Sequence, residues 1–296
     1  MDWKYRRITA LLEAALVEDK AATDITTALT IDTGLRATGT IIAKQSCIVS
    51  GIGCIAAFLT IHGKLSTKPA RRFEVVSHPE VFDGVRVKKG QNIAVIRASA
   101  ATILSTERVI LNLMQRMSGI ATLTNEYVKA VASAKSKTRI LDTRKTIPGL
   151  RALDKYAVSC GGGTNHRLDL QDGILIKNNH ISLGGGLPTV LARALSGRKP
   201  GQRVQVEVRS EEELEQAIAG GAESILLDNM TPAEVAQSVK RLRKQLPNAP
   251  IEASGNMNLE TIADYAKTGV EFISVGALTH SAKAADISMR IAAETE

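Results

Sequence analysis

Residues 204–228 read V-Q-V-E-V-R-S-E-E-E-L-E-Q-A-I-A-G-G-A-E-S-I-L-L-D. An apolar run at 204–208 leads into a helical period at 211–219, and a second apolar run follows at 224–228. Two apolar strands separated by a helix predict parallel neighbours, which need a long crossover where antiparallel neighbours need only a tight turn. The same unit recurs on both sides. Strand-like runs lie at 140–142, 174–177, 251–254 and 272–276, and helical periods at 187–196, 232–245 and 259–267. About six such strands, each ending in polar residues, predict a (β/α) barrel. Chemistry in such barrels sits at the C-terminal strand ends, so Lys177, Glu207, Asp228, Ser254 and Gly276 should share one mouth.

Upstream the pattern differs. A helix carrying Ile8, Leu11, Leu12, Ala15 and Leu16 precedes short strand-like runs at 38–43, 73–77 and 91–97. These predict a small α+β domain. A long helix from Ser105 to about Ala134 follows, with an interruption or kink expected at Ser118-Gly119. Gly51-Ile52-Gly53-Cys54-Ile55-Ala56 matches the dinucleotide fingerprint, but no doubly wound units follow it. A turn of small residues explains it equally well.

The chemistry concentrates between Asp142 and His180. Arg144, Lys145, Arg151, Lys155, His166, Arg167 and Lys177 surround a triple glycine, 161–163. Arginine forks suit carboxylates and lysines suit phosphates, so this segment predicts a small, highly anionic substrate. Glu207 sits inside the apolar run V-Q-V-E-V and Asp228 ends the run S-I-L-L-D, where a carboxylate needs an ion-pair partner or a cation such as Mg²⁺. Ser254-Gly255-Asn256 and the 274–280 loop follow the last two strands, where barrels often cradle a phosphate. His62 and His78 have no motif around them. Cys160 abuts the glycines, but no base is placed beside it, and with Cys47 and Cys54 it reads as an incidental reduced thiol.

The 296 residues carry 44% hydrophobic and 3% aromatic side chains, so an aliphatic core is expected and disorder is not. A net charge of +8 permits nucleic-acid binding. The basic residues are nevertheless scattered as Arg6-Arg7, Arg71-Arg72, Lys88-Lys89 and a face carrying Lys240, Arg241, Arg243 and Lys244. They read as the solvated surface of a basic enzyme, with no nucleic-acid partner. No apolar run is long enough for a membrane span, and the first ten residues lack a signal-peptide core, so a cytoplasmic protein is expected.

Longer motifs carry a resemblance. They are E-D-K-A-A-T-D-I-T-T at 18–27, E-R-V-I-L-N-L-M-Q-R-M-S-G-I-A-T-L-T at 107–124, D-T-R-K-T-I-P-G-L-R at 142–151, N-H-R at 165–167 and L-I-K at 175–177. V-E-V at 206–208, L-D-N-M at 227–230, E-A-S-G at 252–255 and V-G-A-L-T-H-S at 275–281 continue them. In these the chain resembles the quinolinate phosphoribosyltransferase family of NAD synthesis. The resemblance implies a type II phosphoribosyltransferase architecture: an incomplete (β/α) barrel over 111–280 and an N-terminal α+β sandwich-like domain over 1–110, joined by the tail 281–296. It implies quinolinate and 5-phosphoribosyl-1-pyrophosphate as substrates, Mg²⁺ as cofactor, and a homodimer. Arg108 would reach across to the partner's site and bind a quinolinate carboxylate, with Arg144, His166 and Arg167 completing that pocket. Lys145 and Lys177 would stand near the reacting centre and the phosphates. Glu207 and Asp228 would hold ribose hydroxyls and Mg²⁺, directly or through water. Ser254, Gly255, Gly276 and His280 would surround the 5-phosphate.

Three positions depart from the family pattern: Asn178 where Asp is usual, Asp169 where Gly is usual, and Asn256-Met257 in place of Gly-Ile. Asn tolerates left-handed backbone, so that last turn can survive. Rival readings are a related phosphoribosyltransferase acting on another anionic ring and a non-catalytic ligand-binding barrel.

Overall fold

A computed structural model describes residues 1–66 and 72–294, so Arg71 lies outside the described residues. The helices α1 (Arg6–Glu18) and α2 (Ile25–Thr30) lead into strands β1 (Arg36–Ala43) and β2 (Cys47–Ile48). Then come α3 (Cys54–Leu65), β3 (Glu74–Val76), β4 (Arg86–Val87), β5 (Asn92–Ser99) and the long α4 (Ala100–Ser133). The alternating part holds β6 (Arg139–Leu141), α5 (Arg151–Cys160), β7 (Ile174–Ile176), α6 (Asn178–Leu183) and α7 (Leu187–Gly197). It continues through β8 (Val204–Val208), α8 (Glu211–Ala219), β9 (Ser224–Asp228), α9 (Pro232–Gln245) and β10 (Ile251–Ser254). It closes with α10 (Ile262–Ala266), β11 (Phe272–Ser274), α11 (Ala277–His280) and β12 (Ile287–Ala293).

The chain divides into two compact units. The first comprises residues 1–123, 147–162 and 282–296, and the second 124–146 and 163–281. These limits differ from the expected 1–110 and 111–280. Helix α4 continues well past residue 110, and α5 groups with the first unit because Arg116 clamps Asp154 with two hydrogen bonds, at 2.9 and 2.7 Å.

In the first unit a sheet of order β12-β1-β5-β3 is antiparallel throughout. Buried and half-buried residues alternate strictly along β1, as a strand with one face on the core requires. Strand β12 pairs the whole of β1 from Ala37 to Ala43. Contrary to expectation, α4 runs without interruption through Ser118-Gly119. Gly119 is small for a packing reason: a Cβ there would stand 2.0 Å from the Lys283 carbonyl oxygen. The fingerprint-like turn is also accounted for. Asp83 Oδ1 accepts the Gly51 and Ile52 amides, each at 2.9 Å, so an internal carboxylate occupies the donors a pyrophosphate would use.

The second unit is one parallel sheet of order β6-β11-β10-β9-β8-β7. Strands β6 and β7 are its two edges, so the barrel is incomplete there. Thr164, just past the triple glycine, makes a single parallel bridge to Leu141. Alternation sorts each strand. Along β8, Val204, Val206 and Val208 are fully buried, whereas Glu207 lines a cavity. Outside the sheet, α8 buries Leu214 and Ala217, and α9 buries Val235, Val239 and Leu242. Helix α10 is shorter than the expected 259–267 because Asn258 Oδ1 accepts the Glu260 and Thr261 amides and folds that stretch into a turn.

Candidate active site

The polar ends of the parallel strands meet in one cavity of about 990 Å³, lined wholly by residues of the second unit. Of the sequence-predicted residues, Arg144, Lys145, His166, Arg167, Lys177, Glu207, Asp228, Ser254, Gly255, Gly276 and His280 all line it. Arg108 does not. It is exposed on α4, in the first unit. Arg151 and Lys155 lie on α5, also in the first unit, and Lys155 is buried there.

Two loops deliver the cations. After β6 the chain turns at 142–146, where the Lys145 amide donates to Thr143 Oγ1 (3.0 Å) and the Lys145 carbonyl accepts the Thr279 hydroxyl (2.9 Å). Gly276 stands against this loop; a Cβ there would come within 3.1 Å of Lys145 Cδ and 3.2 Å of His280 Nε2. The second loop follows the triple glycine. Asp142 Oδ1 accepts the His166 amide (2.8 Å), and Arg167 Nη1 donates to the Gly173 carbonyl (3.2 Å). Arg144 Nε and Arg167 Nε are buried with no hydrogen-bond partner. Burial first, and then the neighbouring Arg144 charge, pulls the Arg167 pKa below its ordinary value. A cavity that buries unsatisfied guanidinium donors and crowds like charges is built for anions.

The acidic side is equally organised. Lys177 Nζ lies 3.3 Å from Glu207 Oε2. Arg209 bridges both acids, with Nη2 at 3.3 Å from Glu207 Oε1 and Nε at 3.4 Å from Asp228 Oδ2. The ion-pair reading of these carboxylates therefore holds, inside the cavity where the functional reading places them. Among the described residues no three His, Cys, Asp or Glu gather as a metal cage. Two hard carboxylates lining this cavity nevertheless fit Mg²⁺, which commonly takes one or two from protein and completes its shell with water and phosphate oxygens.

Gly255 and Asn256 both adopt left-handed backbone, with φ of +104° and +47°. At Gly255 a Cβ would meet Asn229 Oδ1 at 2.3 Å, so only glycine fits, whereas Asn256 accommodates the turn. Asp169 accepts the Gln171 amide at 2.8 Å and so caps its own loop. Asn178 starts α6 and lines the cavity.

Sequence reading gave no role to two residues that line this cavity, Arg209 and Glu252. Arg209 lies two positions after Glu207, and Glu252 stands in the E-A-S-G motif without a function attached to it. Ser274 was included only as the first residue of the 274–280 loop. Cys160 belongs to the first unit, and burial pushes its thiol pKa up, away from a reactive thiolate.

Comparisons with known proteins agree with this geometry. Residues 24–118 match the quinolinate phosphoribosyl transferase N-terminal domain, and residues 120–290 match its C-terminal domain. The nicotinate-nucleotide pyrophosphorylase (carboxylating) of Mycobacterium leprae is 40% identical, over 94% of this chain and 95% of that protein. The chloroplastic enzyme of the same name from Arabidopsis thaliana is also 40% identical, over 97% and 83%. Among solved structures, NadC from Streptococcus pyogenes superposes with a TM-score of 0.90 at 33% identity, over the full length of both chains. The nicotinate-nucleotide pyrophosphorylase of Ehrlichia chaffeensis gives 0.87 at 31%, over 99% of this chain and 100% of that one. With both domains matched in order and a 40%-identical relative covered over 95% of its length, the chain belongs to the quinolinate phosphoribosyltransferase family.

Proposed function

We propose that this protein transfers the phosphoribosyl group of 5-phosphoribosyl-1-pyrophosphate to quinolinate, yielding nicotinate mononucleotide, pyrophosphate and CO₂. The observation that carries this reading is one cavity holding two arginines with buried, unpartnered Nε–H groups beside a lysine- and arginine-tethered acid pair. Quinolinate has two carboxylates, and the second substrate a phosphate and a pyrophosphate. The cavity supplies forks for the former and point charges for the latter.

The bond from ribose C1 to the pyrophosphate oxygen breaks and the pyridine nitrogen bonds to C1. Positive charge on the ribose ring is offset by Glu207 or Asp228, while Lys145, Lys177 and Arg209 face the charge growing on the leaving group. The new pyridinium then takes up the electron pair of the bond to the 2-carboxylate. CO₂ departs, and a proton from solvent replaces it on the ring. Glu207 and Asp228 would hold Mg²⁺, directly or through water, and the bound ion supplies charge stabilisation to the pyrophosphate. Ser254, Gly255, Gly276 and His280 take the 5-phosphate in this reading.

The reading extends to a homodimer in which Arg108 serves the partner's site, and to a cytoplasmic location. Arg108 is exposed on α4, in keeping with such a loan. No helix among the described residues is long and apolar enough to cross a membrane.

The test is turnover of quinolinate with 5-phosphoribosyl-1-pyrophosphate, with and without Mg²⁺, with nicotinate as the one-carboxylate control. The expected result is Mg²⁺-dependent nicotinate mononucleotide and CO₂ from quinolinate, and little product from nicotinate. A folded protein that forms no product would overturn the reading in favour of another anionic ring or of binding without catalysis.

A further inference from the structure

Glu252 has no part in the mechanism above, yet it lies on the floor of the same cavity and its charge opposes the cavity's own. It precedes Ser254 by two residues on β10, so strand alternation turns both to the same side. Its side chain is only 4% exposed. A carboxylate buried so completely is costly unless donors satisfy it. Three do. The Ser274 hydroxyl donates to Oε1, Gln205 Nε2 donates to Oε2 at 2.8 Å, and His166 Nε2 lies 3.3 Å from Oε2. Burial opposes ionisation here, but the hydrogen bonds, that of His166 foremost, outweigh it and hold the Glu252 pKa below the usual carboxylate value.

This arrangement decides where the His166 proton sits. The Arg167 backbone amide, which can only donate, points at His166 Nδ1 from 2.6 Å. Nδ1 therefore carries the lone pair, and the ring proton is on Nε2, facing Glu252. Both ring nitrogens are engaged within the protein, so the imidazole has no N–H left for a substrate carboxylate. The neighbouring arginines do, through their unpartnered Nε atoms.

We infer that Glu252 is a positioning residue for the dicarboxylate pocket, acting through His166: it holds the imidazole as the Nε2–H tautomer, so that Nδ1 anchors the Arg167 amide and the Arg167 guanidinium is aimed at substrate. His166 then orients its neighbour and does not itself bind a carboxylate. The Glu252 charge also offsets the mutual repulsion of Arg144 and Arg167 before substrate arrives. The inference rests on the functional reading above for the identity of the substrate, but not for the tautomer.

Two measurements test it separately. In ¹⁵N-histidine NMR of the free wild-type protein, the His166 resonances, assigned by their loss in His166→Gln, should show a protonated Nε2 and an unprotonated Nδ1. In Glu252→Gln this single tautomer should give way to a mixture. The same substitution should raise KM for quinolinate at least tenfold while leaving KM for 5-phosphoribosyl-1-pyrophosphate within twofold. A protonated Nδ1 in the wild type would overturn the inference, as would a folded Glu252→Gln protein with unchanged KM for quinolinate. Should Glu252→Gln fail to fold, the wild-type spectrum alone decides. A wild type that never turns over quinolinate would sink the functional reading, and the tautomer would still be read.

Discussion

Arg144 and Arg167 face the cavity with buried Nε–H groups that nothing in the described protein satisfies, and this makes them the most sensitive single positions. Arg144→Ala should lower kcat/KM for quinolinate by roughly two to three orders of magnitude, equivalent to about 2–4 kcal/mol of transition-state stabilisation. Steady-state kinetics of a folded variant checks this. Gly255 is limited by geometry, not charge. Its φ of +104° and the nearby Asn229 oxygen leave no room for a methyl group. If the Gly255 loop takes the 5-phosphate as proposed, Gly255→Ala should raise KM for 5-phosphoribosyl-1-pyrophosphate more than KM for quinolinate. At this scale most cavity residues were legible, because cations beside Gly, Pro and Asn, and acids at strand ends, are signals local in sequence. Glu252 was not. A glutamate inside a four-residue strand looks the same whether it faces helices or a pocket, and only strand pairing reveals its three donors.

Helix α4 shows where local pattern misleads. Ser118-Gly119 reads as a weak point, yet the helix is continuous, because the 283–284 backbone packs against the glycine. Gly119→Ala should destabilise the fold by about 1–3 kcal/mol through overpacking, measured by urea unfolding. Helix α5 depends on Asp154, which is fully buried against Arg116. Asp154→Asn should cost about 3–5 kcal/mol, since it removes the charge of a fully buried carboxylate that Arg116 holds with two hydrogen bonds. In α3, burial lowers the His62 pKa, while its Nε2–H donates to the Ala21 carbonyl. The unfolded chain, with an ordinary histidine near pKa ~6.5, takes up a proton that the folded state resists. The stability His62 contributes is thus present above that value and lost as pH falls below it. Thermal melts between neutral and mildly acidic pH should show this slope, and His62→Gln should flatten it. The parallel strands and α8 and α9 were legible because apolar runs and capping residues are local. The start of α10 was not, since the Asn258 turn competes with the helix for the same amides.

At the scale of the whole molecule, the net charge of +8 is divided between the cavity and a surface whose basic residues are partly paired. On α9, Arg241 pairs with Glu211 and Glu215, and Arg243 with Glu271, so that face is not a bare basic stripe. The proposed dimer has a direct test. Mixing Arg108→Ala with Lys145→Ala should restore up to about a quarter of wild-type activity, because random exchange makes half the dimers mixed and each of these holds one intact site. No recovery despite demonstrated subunit exchange would mean that Arg108 does not serve a partner. What the sequence determined by itself was the alternation of the six parallel strands with helices, the family, and the residue types that gather in the cavity. These depend on periodicity and short motifs, which are properties of neighbours along the chain. Only tertiary structure decided that the barrel stays open between β6 and β7, that α5 packs with the first unit, that Arg209 links Glu207 to Asp228, and that His166 is committed to Glu252. Each of these joins residues distant in sequence, and their partners are chosen by register, burial and the need to satisfy every buried charge.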